Sequence, residues 1–229
     1  MAIDLEKYRL DAMETANNAS DRVPICLLID TSKSMLQEKR MKMVNEGIRK
    51  FINDMKNDFY ASSSVELSII SFGDNKAEVK VPFQIIEKVE FHDLVPNGNT
   101  PLDLGAKEAI EAVEERLDFY NQIGVNNYNP WIVIFSDGIA SDEYAYKRYA
   151  RKLCELQIES RWKVMCIGLG KEKNSLADFS PKGNVYGLKD VDIYSFFDWI
   201  SKSVSSMSKS RPDISDLEDE TRMFKNQLL

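Results

Sequence analysis

Five oxygen donors at three separated points of the chain carry the chemistry this sequence offers: Asp30, Ser32 and Ser34 in Asp30-Thr31-Ser32-Lys33-Ser34, Thr100 in Asn99-Thr100-Pro101-Leu102, and Asp137 in Ser136-Asp137-Gly138. Carboxylate and hydroxyl oxygens are hard ligands. Mg²⁺ takes about six of them in near-octahedral geometry, commonly one or two carboxylates with the remainder filled by weaker donors and water. Asp-x-Ser-x-Ser alone is a weak pattern, which typical residue frequencies supply by chance in about one chain in twenty of this length. Each residue also has a structural use. Ser34 with Gln37 and Thr100 with Asp103 make capping boxes, and Asp137-Gly138 reads as a turn. Asp30 and Asp137 carry more weight, because carboxylates closing two adjacent buried strands repel each other unless a cation or hydrogen bonds hold them.

The elements that must position these donors follow from the apolar pattern. The run 23–29 (VPICLLI) is a continuous apolar stretch of strand length ending in Asp30, as expected of a central parallel strand buried on both faces. Val44, Ile48, Phe51, Ile52 and Met55 recur at helical spacing, so a helix is expected from Leu36 to about Asp58. Residues 64–72 alternate as a strand, with 77–81 as an antiparallel partner across the turn Gly73-Asp74-Asn75. After a loop at 94–99, Thr100 as N-cap and Pro101 at the first helical position open a helix to about Tyr120. A strand at 131–135, a helix at 142–159, a strand at 162–169 and a closing helix at 191–207 complete the series. This alternation predicts an α/β fold. It is a doubly wound, mostly parallel central sheet with one antiparallel edge strand and helices on both faces. Ligands in such sheets bind at the carboxyl ends of the central strands, where all three donor groups fall. The expected organisation is a flanking N-terminal helix over 1–20, the α/β domain over 21–207, and an acidic tail or short docking helix over 208–229.

Composition narrows the function classes. At 229 residues, 43% of them apolar, the chain can bury one sizeable core without a structural metal. A net charge of −7 argues against a nucleic-acid phosphate binder. No apolar run approaches the roughly 18 to 20 residues that span a bilayer, and the N-terminal stretch is too charged for a signal peptide, so a cytoplasmic protein with no membrane partner is expected. Cys26, Cys154 and Cys166 lack paired spacing and read as reduced thiols. His92 is the only histidine, which leaves no material for zinc sites built on several histidines. Gly168-Leu169-Gly170 lacks the third glycine of a dinucleotide loop.

The stretches 27–35, 99–102 and 134–138 resemble, in order and spacing over about residues 20–207, the metal-ion-dependent adhesion site of von Willebrand factor A (vWA) domains. Within that superfamily the chain is most similar to the TerY-type proteins of bacterial tellurium-resistance and stress operons. The resemblance implies that Ser32, Ser34 and Thr100 coordinate Mg²⁺, or Mn²⁺ or Ca²⁺, while Asp30 and Asp137 act partly through waters. An acidic or phosphorylated group of a protein partner then takes the open position, and TerY-like proteins suggest an associated kinase or phosphatase. This is binding without turnover, so no enzyme is expected. The chain departs from the family at Lys33 and Asn99, both of which stand where glycine is usual. Lys33, Lys39, Arg40 and Lys42, with Lys147, Arg148, Arg151 and Lys152, suggest a basic rim. The tail offers Asp213, Asp216, Glu218 and Asp219 as autoinhibitory groups for the site. Two other readings stay open: a metal-dependent phosphohydrolase using Asp30, which requires a further positioned acid or base, and a metal-free scaffold of the same fold.

Overall fold

A computed structural model describes residues 11–13, 15, 16, 18, 20–137, 140–142, 144–169, 174–182, 185–187 and 192–209. The sheet is built on β1 (Val23–Asp30), in which every residue is buried. β2 (Val65–Gly73) lies parallel to it. β3 (Lys76–Ile85) returns antiparallel to β2, and the two residues joining them, Asp74 and Asn75, have φ of 51° and 59°. Two left-handed residues in succession match the twist of a tight hairpin, and Asp and Asn tolerate them well. On the other side of β1 lie β4 (Trp131–Ser136), β5 (Lys163–Gly168) and the two-residue β6 (Tyr186–Gly187), all parallel. The order is β3-β2-β1-β4-β5-β6, so the expected mostly parallel sheet with one antiparallel edge strand is what the chain forms. β6 lies outside the elements the sequence predicts, since two residues carry no alternation to read.

Among the described residues, four long helices cover the two faces: α1 (Arg40–Asn57), α2 (Leu102–Ile123), α3 (Lys147–Glu159) and α4 (Asp192–Lys209). Successive strand residues point to opposite faces. Ile25, Leu27 and Ile29 of β1 pack with Val44, Ile48 and Phe51 of α1 and with Phe196, Phe197 and Ile200 of α4. Cys26 and Leu28 pack with Ala106, Ile110 and Val113 of α2 and with Ala150 and Leu153 of α3.

Three helix starts differ from expectation. The stretch after β1 is a 3-10 segment, Lys33–Lys39, broken by an extended Gln37 and left-handed Glu38 and Lys39, so α1 begins only at Arg40. Ser34 therefore lies inside the 3-10 segment and does not cap α1 with Gln37. The N-cap position of α2 is Pro101, without a side-chain cap bond, so Thr100 forms no capping box with Asp103. α3 starts at Lys147 rather than Asp142, whose carboxylate instead accepts the backbone N–H groups of Tyr144 and Ala145 at 2.8 and 2.9 Å. That local turn outcompetes helix at this point.

At the end of the sheet opposite to Asp30, a charged network is sealed into the protein. Arg116 Nε and the Tyr120 hydroxyl donate to the same Glu66 oxygen at 2.6 and 2.7 Å, and Arg22 Nε lies 3.5 Å from the other. Arg22, Glu66, Arg116 and Tyr120 are all buried. Burial lowers the Arg22 pKa and raises that of Tyr120; for Arg116 burial works against the charge, but Glu66 holds its pKa above the usual value. Arg116 also pairs with Asp11 at 2.7 Å, and Arg22 donates to the Thr15 carbonyl at 2.9 Å, which ties the helical residues 11–13 and 15–16 to the domain.

The three cysteines are free, Cys26 and Cys166 buried within strands and Cys154 partly exposed. Burial pushes the Cys166 thiol up to about 12. Among the described residues no helix is long and apolar enough to cross a membrane. Residues 1–10 of the expected flanking helix, Gly138, Gly170, and residues 210–229 with the acidic tail groups lie outside the described residues.

Candidate metal site

β1 continues to β2 on one side, while β4 enters the sheet on the other, so the carboxyl ends of β1 and β4 flank the point where strand order reverses. Asp30 is the last residue of β1 and shares the face of Leu28; Ser136 ends β4 and shares the face of Ile134. Ile29 is in register with Phe135, which brings Asp30 and Ser136 side by side. The Ser136 hydroxyl donates to Asp30 Oδ2 at 2.6 Å, and the Ser32 backbone N–H donates to Oδ1 at 2.7 Å. Asp30 is 0% exposed. Burial pushes its carboxyl up to about 6, opposed by the hydrogen bonds from Ser136 and Ser32 and reinforced by the nearby charge of Asp137. Beyond it, the hydroxyls of Ser32 and Ser34 share a hydrogen at 2.8 Å.

Thr100 reaches this point through backbone docking. The Asn97 N–H donates to the Thr31 carbonyl at 2.6 Å, and the Lys33 N–H donates to the Gly98 carbonyl at 3.1 Å, so the loop before Thr100 is laced to the loop carrying Ser32 and Ser34. Gly98 has φ +71°, and a Cβ there would stand 2.3 Å from Asp74 Cα. Asn99 exchanges two hydrogen bonds with Asn75, receiving the backbone N–H at 2.8 Å and donating its amide to the side-chain oxygen at 2.7 Å. Asn99 thus fastens the loop to the β2–β3 turn. On the other flank, the Thr100 N–H donates to Ser141 Oγ at 2.7 Å, and the Ser141 N–H returns a bond to the Thr100 carbonyl at 2.9 Å. Replacing Gly98 by Ala is expected to cost about 2 kcal/mol, from left-handed strain and the contact with Asp74, and to weaken cation binding in parallel. Thermal unfolding and a metal titration on the same sample measure both.

All five expected donors therefore gather at one end of the sheet. Asp30, Ser32 and Ser34 are linked by direct hydrogen bonds, Asp137 is close enough to act on the charge of Asp30, and Thr100 is carried by its docked loop. Sequence reasoning missed Ser136 and Ser141. Their roles depend on the β1–β4 register and on a loop-to-loop contact between residues 41 apart, neither of which leaves a spacing signal. The basic rim is only partly as expected. Lys33 and Lys39 are exposed, but Arg40 is buried and donates to Glu38 at 2.8 Å, while Lys152 pairs with Glu114 at 2.8 Å.

Residues 25–139 match the von Willebrand factor type A domain family. The chain belongs to that family. Solved structures agree in fold. The pilus adhesin SpaC from Lactobacillus rhamnosus GG aligns with TM-score 0.62 at 12% identity over 81% of this chain and 30% of SpaC, so the chain spans under a third of that protein. The vWF domain of the type V pili tip protein Mfa5 from Porphyromonas gingivalis aligns with TM-score 0.59 at 13% identity, over 86% of this chain and 99% of that domain. Proximal thread matrix protein 1 from the mussel byssus, with a zinc-occupied MIDAS motif, aligns with TM-score 0.54 at 13% identity, over 83% of this chain and 46% of its own. No curated protein matches the sequence.

The donors of this vWA domain fit a hard divalent cation. Among the described residues no three His, Cys, Asp or Glu side chains gather into a metal-binding group, so the coordinating atoms would be hydroxyls backed by carboxylates. Ser32 and Ser34 present a close hydroxyl pair, and Ser136, Ser32 and Asp137, which among the described residues act most on the Asp30 charge after burial, are not cationic. Two neighbouring carboxylates repel each other, and a bound cation would offset that repulsion.

Proposed function

We propose that this vWA domain binds a divalent cation, Mg²⁺ in the first instance and Mn²⁺ or Ca²⁺ as substitutes, through Asp30, Ser32, Ser34, Thr100 and Asp137. Through that ion it binds an acidic or phosphorylated group on a protein partner. The observation that carries the reading is the fully buried Asp30, hydrogen-bonded through both oxygens beneath the Ser32–Ser34 hydroxyl pair, with the Asp137 charge beside it. An ion held chiefly by neutral hydroxyls, with its carboxylates acting at one remove, stays electrophilic enough to attract an anionic side chain. The zinc in the MIDAS motif of the mussel byssus protein supports divalent occupancy on this fold.

Binding is favoured over phosphohydrolysis because Asp30 is sealed from solvent with both oxygens engaged, which gives a nucleophile no approach to phosphorus. The motif resemblance to TerY-type proteins supports a bacterial stress or tellurium-resistance setting, with a kinase or phosphatase as the kind of associated partner. Three free cysteines support a reducing, cytoplasmic compartment.

The test is capture on the immobilised chain with Mg²⁺ present, followed by elution with EDTA, in parallel with a Ser32→Ala, Ser34→Ala double variant. The proposal expects a protein eluted by the chelator and absent from the variant. Capture of the same protein in EDTA, or by the variant, would leave a metal-free scaffold in its place.

A further inference from the structure

Resting on the metal site proposed above, we infer that Ser141, on the loop after β4, is the positioning residue for Thr100. Both backbone polar groups of Thr100 are engaged by it: the Thr100 N–H donates to Ser141 Oγ at 2.7 Å, and the Thr100 carbonyl accepts the Ser141 N–H at 2.9 Å. The two bonds close a ring between segments that share no secondary structure. Pro101 restricts Thr100 to extended backbone, and β-branching restricts its χ1, so a fixed backbone leaves the Thr100 hydroxyl few directions. The loop bearing Ser141 is itself held, because Asp142 accepts the N–H groups of Tyr144 and Ala145. Thr100 is buried, whereas Ser141 is exposed and belongs to neither apolar core. The Ser141 side chain therefore contributes a hydrogen-bond acceptor and little packing volume. Its place in the site is that of an outer group that orients a ligand, and loss of such groups typically weakens metal affinity about 10- to 100-fold.

The experiment is a calorimetric titration of Mn²⁺ into the metal-free full chain for wild type, Ser141→Ala and Ser141→Thr, with the metal-free melting temperature of each. The expected result is a Kd about tenfold higher in Ser141→Ala, recovered to within about twofold in Ser141→Thr, at nearly unchanged metal-free melting temperatures. A merely structural role would lower the melting temperature without this pattern of rescue. Equal Kd values for wild type and Ser141→Ala would overturn the inference while leaving the metal site intact; a wild type that binds no Mn²⁺ would remove the metal site as well. Hydrogen exchange at the Thr100 amide of the wild type gives a second test independent of any variant. Mg²⁺ is expected to slow it, and exchange indifferent to Mg²⁺ would also overturn the inference.

Discussion

Asp30→Asn is expected to stabilise the metal-free protein by about 3 kcal/mol near pH 7.5 and to abolish its response to divalent cations. The carboxyl sits at 0% exposure with its pKa raised from 3.8 to about 6, chiefly by burial. That gap is equivalent to about 3 kcal/mol of folding free energy. The sign follows from proton binding: the folded state holds the Asp30 proton more tightly than the unfolded chain. The contribution of this group to stability therefore falls as pH rises from 3.8 to about 6 and stays at its unfavourable limit above. An asparagine amide can accept from the Ser32 N–H and donate to the Ser136 hydroxyl, so both bonds survive while the buried charge disappears. In EDTA the variant should melt about 6 to 12 °C above wild type at pH 7.5, and the two should converge near pH 4. With Mg²⁺ added, wild type gains stability and the variant does not. A variant less stable than wild type in EDTA at pH 7.5 would show that the Asp30 charge is already compensated within the protein.

The second large effect lies at the other end of the strands. Glu66→Ala removes the acceptor of Arg116 Nε and of the Tyr120 hydroxyl, as well as the ionic neighbour of Arg22. Two buried guanidinium groups lose their principal counterion, and breaking such a buried network from one side costs about 3 to 5 kcal/mol. For a chain of this size the melting temperature should fall by about 10 °C. Cation affinity should not follow, because Arg22 and Asp30 are separated by the length of β1, about 25 Å at the rise of a strand. Urea unfolding and a metal titration of Glu66→Ala measure the two separately. A loss below about 1 kcal/mol would mean that the network relaxes around the gap, and a large change in cation affinity would mean that the two ends of the sheet are coupled.

Part of this architecture is legible in the sequence. The apolar run before Asp30 and the run 131–135 announced buried strands because a parallel sheet covered on both faces needs unbroken hydrophobic stretches. The turn at Asp74-Asn75 announced the hairpin because few residues accept left-handed backbone. Asp30, Ser32 and Ser34 stand out as candidate donors because they are close in sequence, and Thr100 and Asp137 because each lies next to an element boundary. What escaped was whatever depends on register or on loops meeting: the Ser136 bond to Asp30, the Ser141 clasp on Thr100, and the Asn75–Asn99 exchange. The capping boxes at Ser34 and Thr100 failed as structure for a related reason. Local hydrogen bonding that would suit a helix start yields here to loop geometry, which leaves neither residue capping a helix.

Calorimetric titration of Mg²⁺ and Mn²⁺ into metal-stripped wild type and an Asp30→Ala, Ser32→Ala double variant tests cation binding at this site most directly. The proposed site predicts saturable binding at one equivalent in the wild type and none in the variant; equal binding by both, or none by the wild type, would contradict it.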